Sequence, residues 1–374
     1  RIFDRDDKRI SPSTIPHAIL LMKDVLINAD YWDNEPKIFS AEYAFDGILG
    51  IPPPLTADAV KEAGGAFEIV ECSNGLKKTF TRAPQLPLLV ATFGHPSKFG
   101  DGLPVVFSWP VLPSSVQATD FIVTLNTGQT VIPDAISIYP NSDYNERNTV
   151  VLVSPDLGNR LRPDEEGAEY PVEIRIAKDD TPLMLVGPKG QVSGVGLTYD
   201  TRYHPYVNGP QLIIAKLSVF KNKGDDGPGS YGINKNSGKS IYRRNVEYRL
   251  RILTNWGISP DGLLYIRPDQ YEDYFYIQVE LQNGDVINLT KANYVYLLDG
   301  HELEILGLAE LGTKSRRYDD CYVDDRDNQI DIILKGDEEA MRLIKKVVLP
   351  SNGKYKAVYN PGGPGPNPEK GVRY

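Results

Sequence analysis

The chain has 374 residues, of which 41% are hydrophobic and 24% are charged, and its formal net charge is −9 at pH 7. This composition excludes a disordered chain and leaves room for two or three hydrophobic cores. An acidic protein repels phosphate backbones and anionic lipids, so nucleic acid is disfavoured as a partner, and no apolar run is long enough for membrane insertion as a helix.

The N-terminal segment, residues 1–94, has mixed character. An apolar run at 17–27 is compatible with either a helix or a buried strand. The sequence ADAVKEA at 57–63 predicts a short helix that ends at the glycine pair following it. We therefore expect this segment to combine helix, strand and loop.

From about residue 95 the chain changes to short runs rich in β-branched and aromatic residues, separated by turn clusters without helical periodicity. These runs lie at 104–111, 120–125, 148–154 and 171–177. We predict an antiparallel sandwich of immunoglobulin-like architecture over residues 95–205, with Trp109 as its core aromatic side chain. The Cys…Trp…Cys pattern of true immunoglobulin domains is missing, so only the architecture is predicted.

A second β-rich domain is predicted over residues 206–374. A long polar loop at 221–240 separates it from the first β block, and such loops are either functional or disordered. In the strand-like run at 246–253, Leu250 and Ile252 face one side and Arg251 faces the other. The other strand-like runs lie at 213–220, 274–280, 293–298, 302–306 and 330–334.

One late helix is predicted, with Asp337 as its N-cap, Lys345 and Lys346 in its last turn, and Pro350 marking its end. The Pro- and Gly-rich tail at 359–374 is expected to be extended. The predicted fold class is therefore mostly β: two antiparallel β-sandwich-like modules with a mixed N-terminal segment and one short C-terminal helix.

The chain has two cysteines, Cys72 and Cys321. As a disulfide they would close a loop of about 250 residues and contribute roughly 5 kcal/mol, whereas the alternative is two buried free thiols. The spacing leaves both open. A first residue other than methionine, the Tyr- and Pro-rich β composition and a disulfide, if formed, favour an extracellular or periplasmic location.

The densest chemistry lies in YDDCYVDDRDNQID at 318–331, which contains six aspartates. Alternating acidic residues in a turn suit Ca²⁺, and Asp325, Asp327 and Asp331 are its candidate ligands. The EF-hand pattern fails here, so any calcium site would be a looser one. The alternatives are a solvated acidic turn and a pair of catalytic carboxylates.

A second constellation lies in YDTRYHPYVNGP at 199–210. Asp200, Arg202, Tyr203 and His204 bring together the side-chain types that polysaccharide lyases use to neutralise a uronate and abstract a proton. These four residues are the catalytic candidates. The alternative is a linker whose aromatic side chains cover the junction between two β domains.

An aromatic stretch at 265–278 provides candidate binding residues. Tyr274 and Tyr276 would project together to stack on sugar rings if the residues between and after them face the core, and Tyr271 and Trp256 are further candidates. The alternative is cross-strand packing of tyrosines in a half-buried sheet. Asn288-Leu289-Thr290 is a glycosylation sequon, which matters in a eukaryotic secretory protein.

Three classes of function remain. We expect an exported β-sandwich protein that binds a carbohydrate polymer or a protein partner through aromatic and acidic loops, with calcium as its candidate ion. The alternatives are an exported hydrolase or lyase acting on carbohydrate through a carboxylate, His and Tyr site, and a structural or assembly protein. Distributed surfaces, rather than a catalytic triad or a metal-ligand set, favour binding.

Overall fold

The structure of the chain is a computed structural model. It describes residues 31–42, 50–63, 65–81, 83–138, 147–159, 161–201, 211–220, 238–255, 259, 263–309, 318–324 and 327–350, and the backbone of 358–359 and 371–372. The apolar run at 17–27 and residues 221–237 of the predicted long loop lie outside the described residues.

Strands make up most of the regular structure. In chain order they are Ile38–Ala41 (β1), Phe67–Glu71 (β2), Lys77–Thr81 (β3), Asp101–Phe107 (β4), Phe121–Leu125 (β5), Thr130–Val131 (β6), Ala135–Ser137 (β7), Thr149–Ser154 (β8), Pro171–Ile176 (β9), Met184–Gly187 (β10), Gly190–Ser193 (β11), Thr198–Asp200 (β12), Leu212–Val219 (β13), Tyr248–Thr254 (β14), Tyr276–Glu280 (β15), Val286–Leu289 (β16), Val295–Leu298 (β17), His301–Ala309 (β18), Gln329–Gly336 (β19), Ile344–Val348 (β20), Val358–Tyr359 (β21) and Gly371–Val372 (β22).

The described α-helices are short. They are Ala57–Glu62 (α1), Leu86–Phe93 (α2), Gly238–Tyr242 (α3), Tyr271–Tyr274 (α4) and Glu338–Met341 (α5). Within the residues described above, no helix combines the length and apolar character needed to cross a membrane.

The first sandwich packs two four-stranded antiparallel sheets face to face, with spatial orders β1-β4-β8-β7 and β12-β9-β5-β6. Alternate residues point inward, so Phe107 and Leu152 of the first sheet share a core with Val123 of the second. Trp109 lies in the same core, as predicted, and its Nε1 donates to the Asp33 carbonyl oxygen at 2.7 Å.

The second sandwich packs a five-stranded sheet, β13-β14-β19-β18-β17, against a three-stranded sheet, β16-β15-β20. Ile252 of β14 and Ile332 of β19 share a core with Ile277 of β15 and Leu289 of β16. These are the inward members of strands that alternate in sequence, and burial of each such side chain contributes about 1.5–3 kcal/mol. The mostly β fold with two sandwich-like modules is therefore confirmed.

The two sandwiches share a buried face. Val106 of β4 and Leu253 of β14 point away from their own cores and pack together with Trp32. Beside this cluster, Asn328 Nδ2 donates to Thr149 Oγ1 at 3.2 Å, and both residues are buried. β4 and β14 therefore bury both of their faces, which polarity alternation within one strand does not reveal.

The helix predictions have opposite outcomes. The helix predicted at 57–63 is present as α1, and Thr56 caps it by accepting a hydrogen bond from Ala59 N at 3.1 Å. The late helix begins after Asp337 as predicted, but its predicted extent is wrong. It ends at Met341, and the following residues form β20, which pairs with β15.

The predicted extended tail lies largely outside the described residues. Its described backbone pairs β21 with β22 in an antiparallel arrangement, with Val358 opposite Val372.

Candidate functional site

The described aspartates of the acidic run at 318–331 have different partners, and three of these partners lie far away in sequence. Asp319 accepts hydrogen bonds from Ser73, and Asp320 pairs with Arg267 at 2.8 Å. Asp331 pairs with Arg251. Asp325, one of the predicted calcium ligands, lies outside the described residues.

Asp331 is a buried counter-ion. Its Oδ1 accepts from Arg251 Nε at 2.8 Å and its Oδ2 accepts from Arg251 Nη2 at 3.0 Å, with both residues directly opposite in the β14–β19 ladder. Asp327, also buried, accepts a hydrogen bond from Gln329 N at 2.8 Å. Among the described residues, no three His, Cys, Asp or Glu side chains are grouped so that they could hold a metal ion.

Of the four catalytic candidates, the structure describes Asp200. Asp200 is exposed at the end of β12, opposite Glu173 of β9. Arg202, Tyr203 and His204 lie outside the described residues. The proposed catalytic grouping therefore stays a prediction.

Of the aromatic candidates that the structure describes, Tyr271 and Tyr274 lie in the core, so Tyr274 does not project outward together with Tyr276. Tyr271 is fully buried: its hydroxyl donates to the Leu289 carbonyl oxygen at 2.6 Å and accepts from Ile277 N at 2.9 Å, and burial raises its pKa. Tyr274 ends α4 and is also buried. Tyr276 is half-buried on the outward side of β15, and Trp256 lies outside the described residues.

A groove lies beside the disulfide, and one of its walls is the β2–β3 hairpin. The two strands pair from Phe67 opposite Thr81 to Glu71 opposite Lys77. Gly75 closes the turn with φ +78°, a backbone conformation that favours glycine. The turn presents polar side chains at its tip.

The Cys72–Cys321 disulfide joins this turn to the chain at 318–324. Of the two alternatives that the sequence left open, a disulfide across about 250 residues and two free thiols, the structure has the disulfide. Lys78 Nζ reinforces the junction by donating to the Cys321 carbonyl oxygen at 3.3 Å. Beneath it, Phe80 and Tyr322 pack in one buried apolar cluster.

The chain at 318–322 forms the second wall of the groove, and Asp319 holds this wall against the hairpin. Its Oδ2 accepts from Ser73 Oγ at 2.6 Å and from Ser73 N at 3.1 Å, while its Oδ1 accepts from Cys321 N at 2.9 Å. The hydrogen bond from the Ser73 side chain and that from the Cys321 backbone hold the pKa of Asp319 below its usual value. Asp319 is therefore an ionised anchor.

The groove has a volume of about 470 Å³, within the usual range of small-molecule sites. The rings of Tyr318 and Tyr322 lie edge to face, with centroids 6.3 Å apart. The polar and charged side chains around them belong to Ser73, Asn74, Lys77, Lys78 and Asp319. Tyr322 is buried, so the half-buried Tyr318 ring is the aromatic surface that a ligand can reach, and its polar surroundings suit recognition of a polar ligand.

The β2–β3 hairpin was not predicted, although the sequence contains a signal for it. Asn74-Gly75 is a strong turn dipeptide, and FEIVE before it and KKTFT after it have strand character. The position of Asp319 beside this turn could not be read from the sequence, because 246 residues separate Asp319 from Ser73.

Searches of protein-family models, of curated proteins and of solved structures found no match to this chain.

Proposed function

We propose that this chain is an exported β-sandwich protein that binds a carbohydrate polymer in the groove beside Cys72–Cys321. The observation that carries the proposal is the half-buried ring of Tyr318, backed by the buried Tyr322, together with hydrogen-bonding side chains around one groove of about 470 Å³. Sugars present an apolar ring face and a polar hydroxyl edge, and this lining offers a partner for each.

Export is part of the proposal because of the disulfide. Disulfides persist in oxidising compartments and are rare where thiols are kept reduced. Cys72–Cys321 joins two parts of the chain that form opposite walls of the groove. An oxidising environment would therefore preserve the shape of the site.

Binding is favoured over catalysis because Asp319 lacks the properties of a general acid. A catalytic acid that works near neutral pH needs a raised pKa, whereas the pKa of Asp319 is lowered. Burial raises the pKa of Asp120 to about 6, and the nearby Asp179 adds to this effect. Asp120 is nevertheless fully buried, and its Oδ2 accepts from Gln117 N at 2.6 Å, so it has a structural role.

The experiment is a carbohydrate-binding assay on the whole chain, in which oligosaccharides selected on a glycan array are titrated by calorimetry. We expect Tyr318→Ala and Lys77→Glu each to weaken binding by at least about tenfold, a loss of about 1.4 kcal/mol. Lys77 is exposed, but Lys77→Glu places a second carboxylate opposite Glu71, so the melting temperature of this variant is measured alongside its affinity. Tyr294→Ala is the control, since Tyr294 is 53% exposed and is not among the residues that line the groove.

Two outcomes would contradict the proposal. The first is an array without a carbohydrate ligand. The second is a ligand whose affinity is the same for the native protein, for Tyr318→Ala and for Lys77→Glu.

A further inference from the structure

The sequon Asn288-Leu289-Thr290 lies at the end of β16 with its acceptor side chain outward. Leu289 is fully buried in the core of the second sandwich, whereas Asn288 and Thr290 are exposed. Because strand residues alternate between faces, burial of Leu289 fixes its two neighbours on the outer face. Asn288 is therefore at a position where an N-linked glycan would extend into solvent.

Two side chains with apolar surface, Val286 and Tyr276, lie near Asn288 on this outer face and are called its apolar margin. Val286, two residues earlier on the same strand, is 56% exposed. Asn288 lies opposite Gln278 of β15, whose side chain donates to Asn288 Oδ1 at 3.2 Å. Tyr276 lies two residues before Gln278 on the same face and is half-buried. Such diagonal neighbours are roughly 7 Å apart, within reach of an aromatic side chain.

The position of Asn288 on a sheet edge also favours a bulky polar group at this residue. β16 is an edge strand of the three-stranded sheet, which has the order β16-β15-β20. Exposed edges with apolar side chains, such as Val286, invite pairing with other chains, and proteins cover or charge such edges. A bulky polar group on Asn288 would provide this cover.

We propose that Asn288 carries an N-linked glycan and that the first sugars of this glycan cover Val286 and Tyr276. The inference depends on the export proposed above, through a secretory pathway that supplies a polyprenyl-diphosphate oligosaccharide. A bond forms between Asn288 Nδ2 and the anomeric carbon of the oligosaccharide. The bond from that carbon to the diphosphate oxygen breaks, the polyprenyl diphosphate leaves, and the amide nitrogen loses one proton.

The test begins with secretion of the whole chain, fused to a standard signal peptide, from eukaryotic cells. The intact mass is measured before and after treatment with peptide N-glycosidase. We expect a mass above that of the polypeptide, which the enzyme reduces while leaving aspartate at the modified position. Thr290→Ala abolishes the excess mass, whereas the matched variant Thr290→Ser, which keeps the sequon, retains it.

A second readout tests whether the sugars cover the apolar margin. Enzymatic removal of the glycan from the folded protein should lower its melting temperature, and this difference should shrink in Tyr276→Ala. An unmodified native chain, from cells that glycosylate a co-secreted control protein, would overturn the proposal. Equal melting temperatures with and without the glycan would overturn the contact with Tyr276. Carbohydrate binding in the groove is also measured on Asn288→Gln, which lacks the sequon. A failure of the groove proposal can then be told apart from a failure of the glycan proposal.

Discussion

The Cys72–Cys321 disulfide should account for a large part of the stability of the molecule. The two cysteines are 249 residues apart in sequence, so the bond closes a loop of about 250 residues in the unfolded chain. Inserting this loop length into the chain-entropy relation gives about 5.5 kcal/mol of stabilisation. The double substitution Cys72→Ser with Cys321→Ser should therefore lower the free energy of unfolding by several kcal/mol.

The assay is equilibrium unfolding in urea, with and without a reducing agent. The native chain should unfold at a lower urea concentration when it is reduced, whereas the double variant should be insensitive to the reductant. Ser73→Ala is the matched control, since it removes only an exposed hydrogen bond to Asp319 beside the disulfide and should cause a small loss of stability. A loss no larger than this in the double variant would refute the loop-closure reasoning.

Two further predictions concern buried carboxylates. Asp331→Ala leaves Arg251 buried without this counter-ion and should lower the free energy of unfolding in urea by about 3–5 kcal/mol. The double substitution Asp331→Leu with Arg251→Met should recover most of that stability. Burial raises the pKa of Asp120 above its ordinary value of 3.8 to about 6, so the folded state favours the protonated form. Its contribution, at most about 3 kcal/mol, is present below pH 3.8 and is lost as the pH rises through about 6. Asp120→Asn should remove this decline, and an unchanged pH profile of unfolding free energy would contradict it.

Strands such as β14 could be predicted because a strand one of whose faces is buried alternates in sequence, whereas the β2–β3 hairpin and β20 were not predicted. Leu250 and Ile252 of β14 point into the core of the second sandwich, as their spacing indicates. Arg251 points to the other face, again as predicted, but it is buried because the first sandwich lies near that side of the sheet. Alternation identifies the two faces of a strand without showing whether water or protein covers the second one.

The late helix shows where local signals mislead. Lys345 and Lys346 match the charge preference of a helix C-terminus. In the structure they are exposed residues of β20, between Ile344 and Val347, which pack against the core of the second sandwich. Pairing with β15 and burial of two β-branched side chains outweigh the helix preference of this segment.

The candidate site was the least predictable part. A dense run of aspartates indicates like-charge repulsion that hydrogen-bond donors or cationic side chains must offset. The run does not identify which residues supply them. Asp319 accepts a hydrogen bond from Ser73, which lies 246 residues away at a hairpin turn. Asp331 accepts one from Arg251, which lies 80 residues away on a strand. These partners depend on the tertiary fold, which brings together segments that are distant in sequence.

The face shared by the two sandwiches has a consequence for dissecting the molecule. Trp32, Val106 and Leu253 form one apolar cluster contributed by both halves, and Asn328 with Thr149 forms a polar bridge next to it. Severing the chain at the junction would leave each half with a newly wetted apolar surface and unmatched amide and hydroxyl groups. We therefore expect each half alone to be less stable than it is within the whole chain.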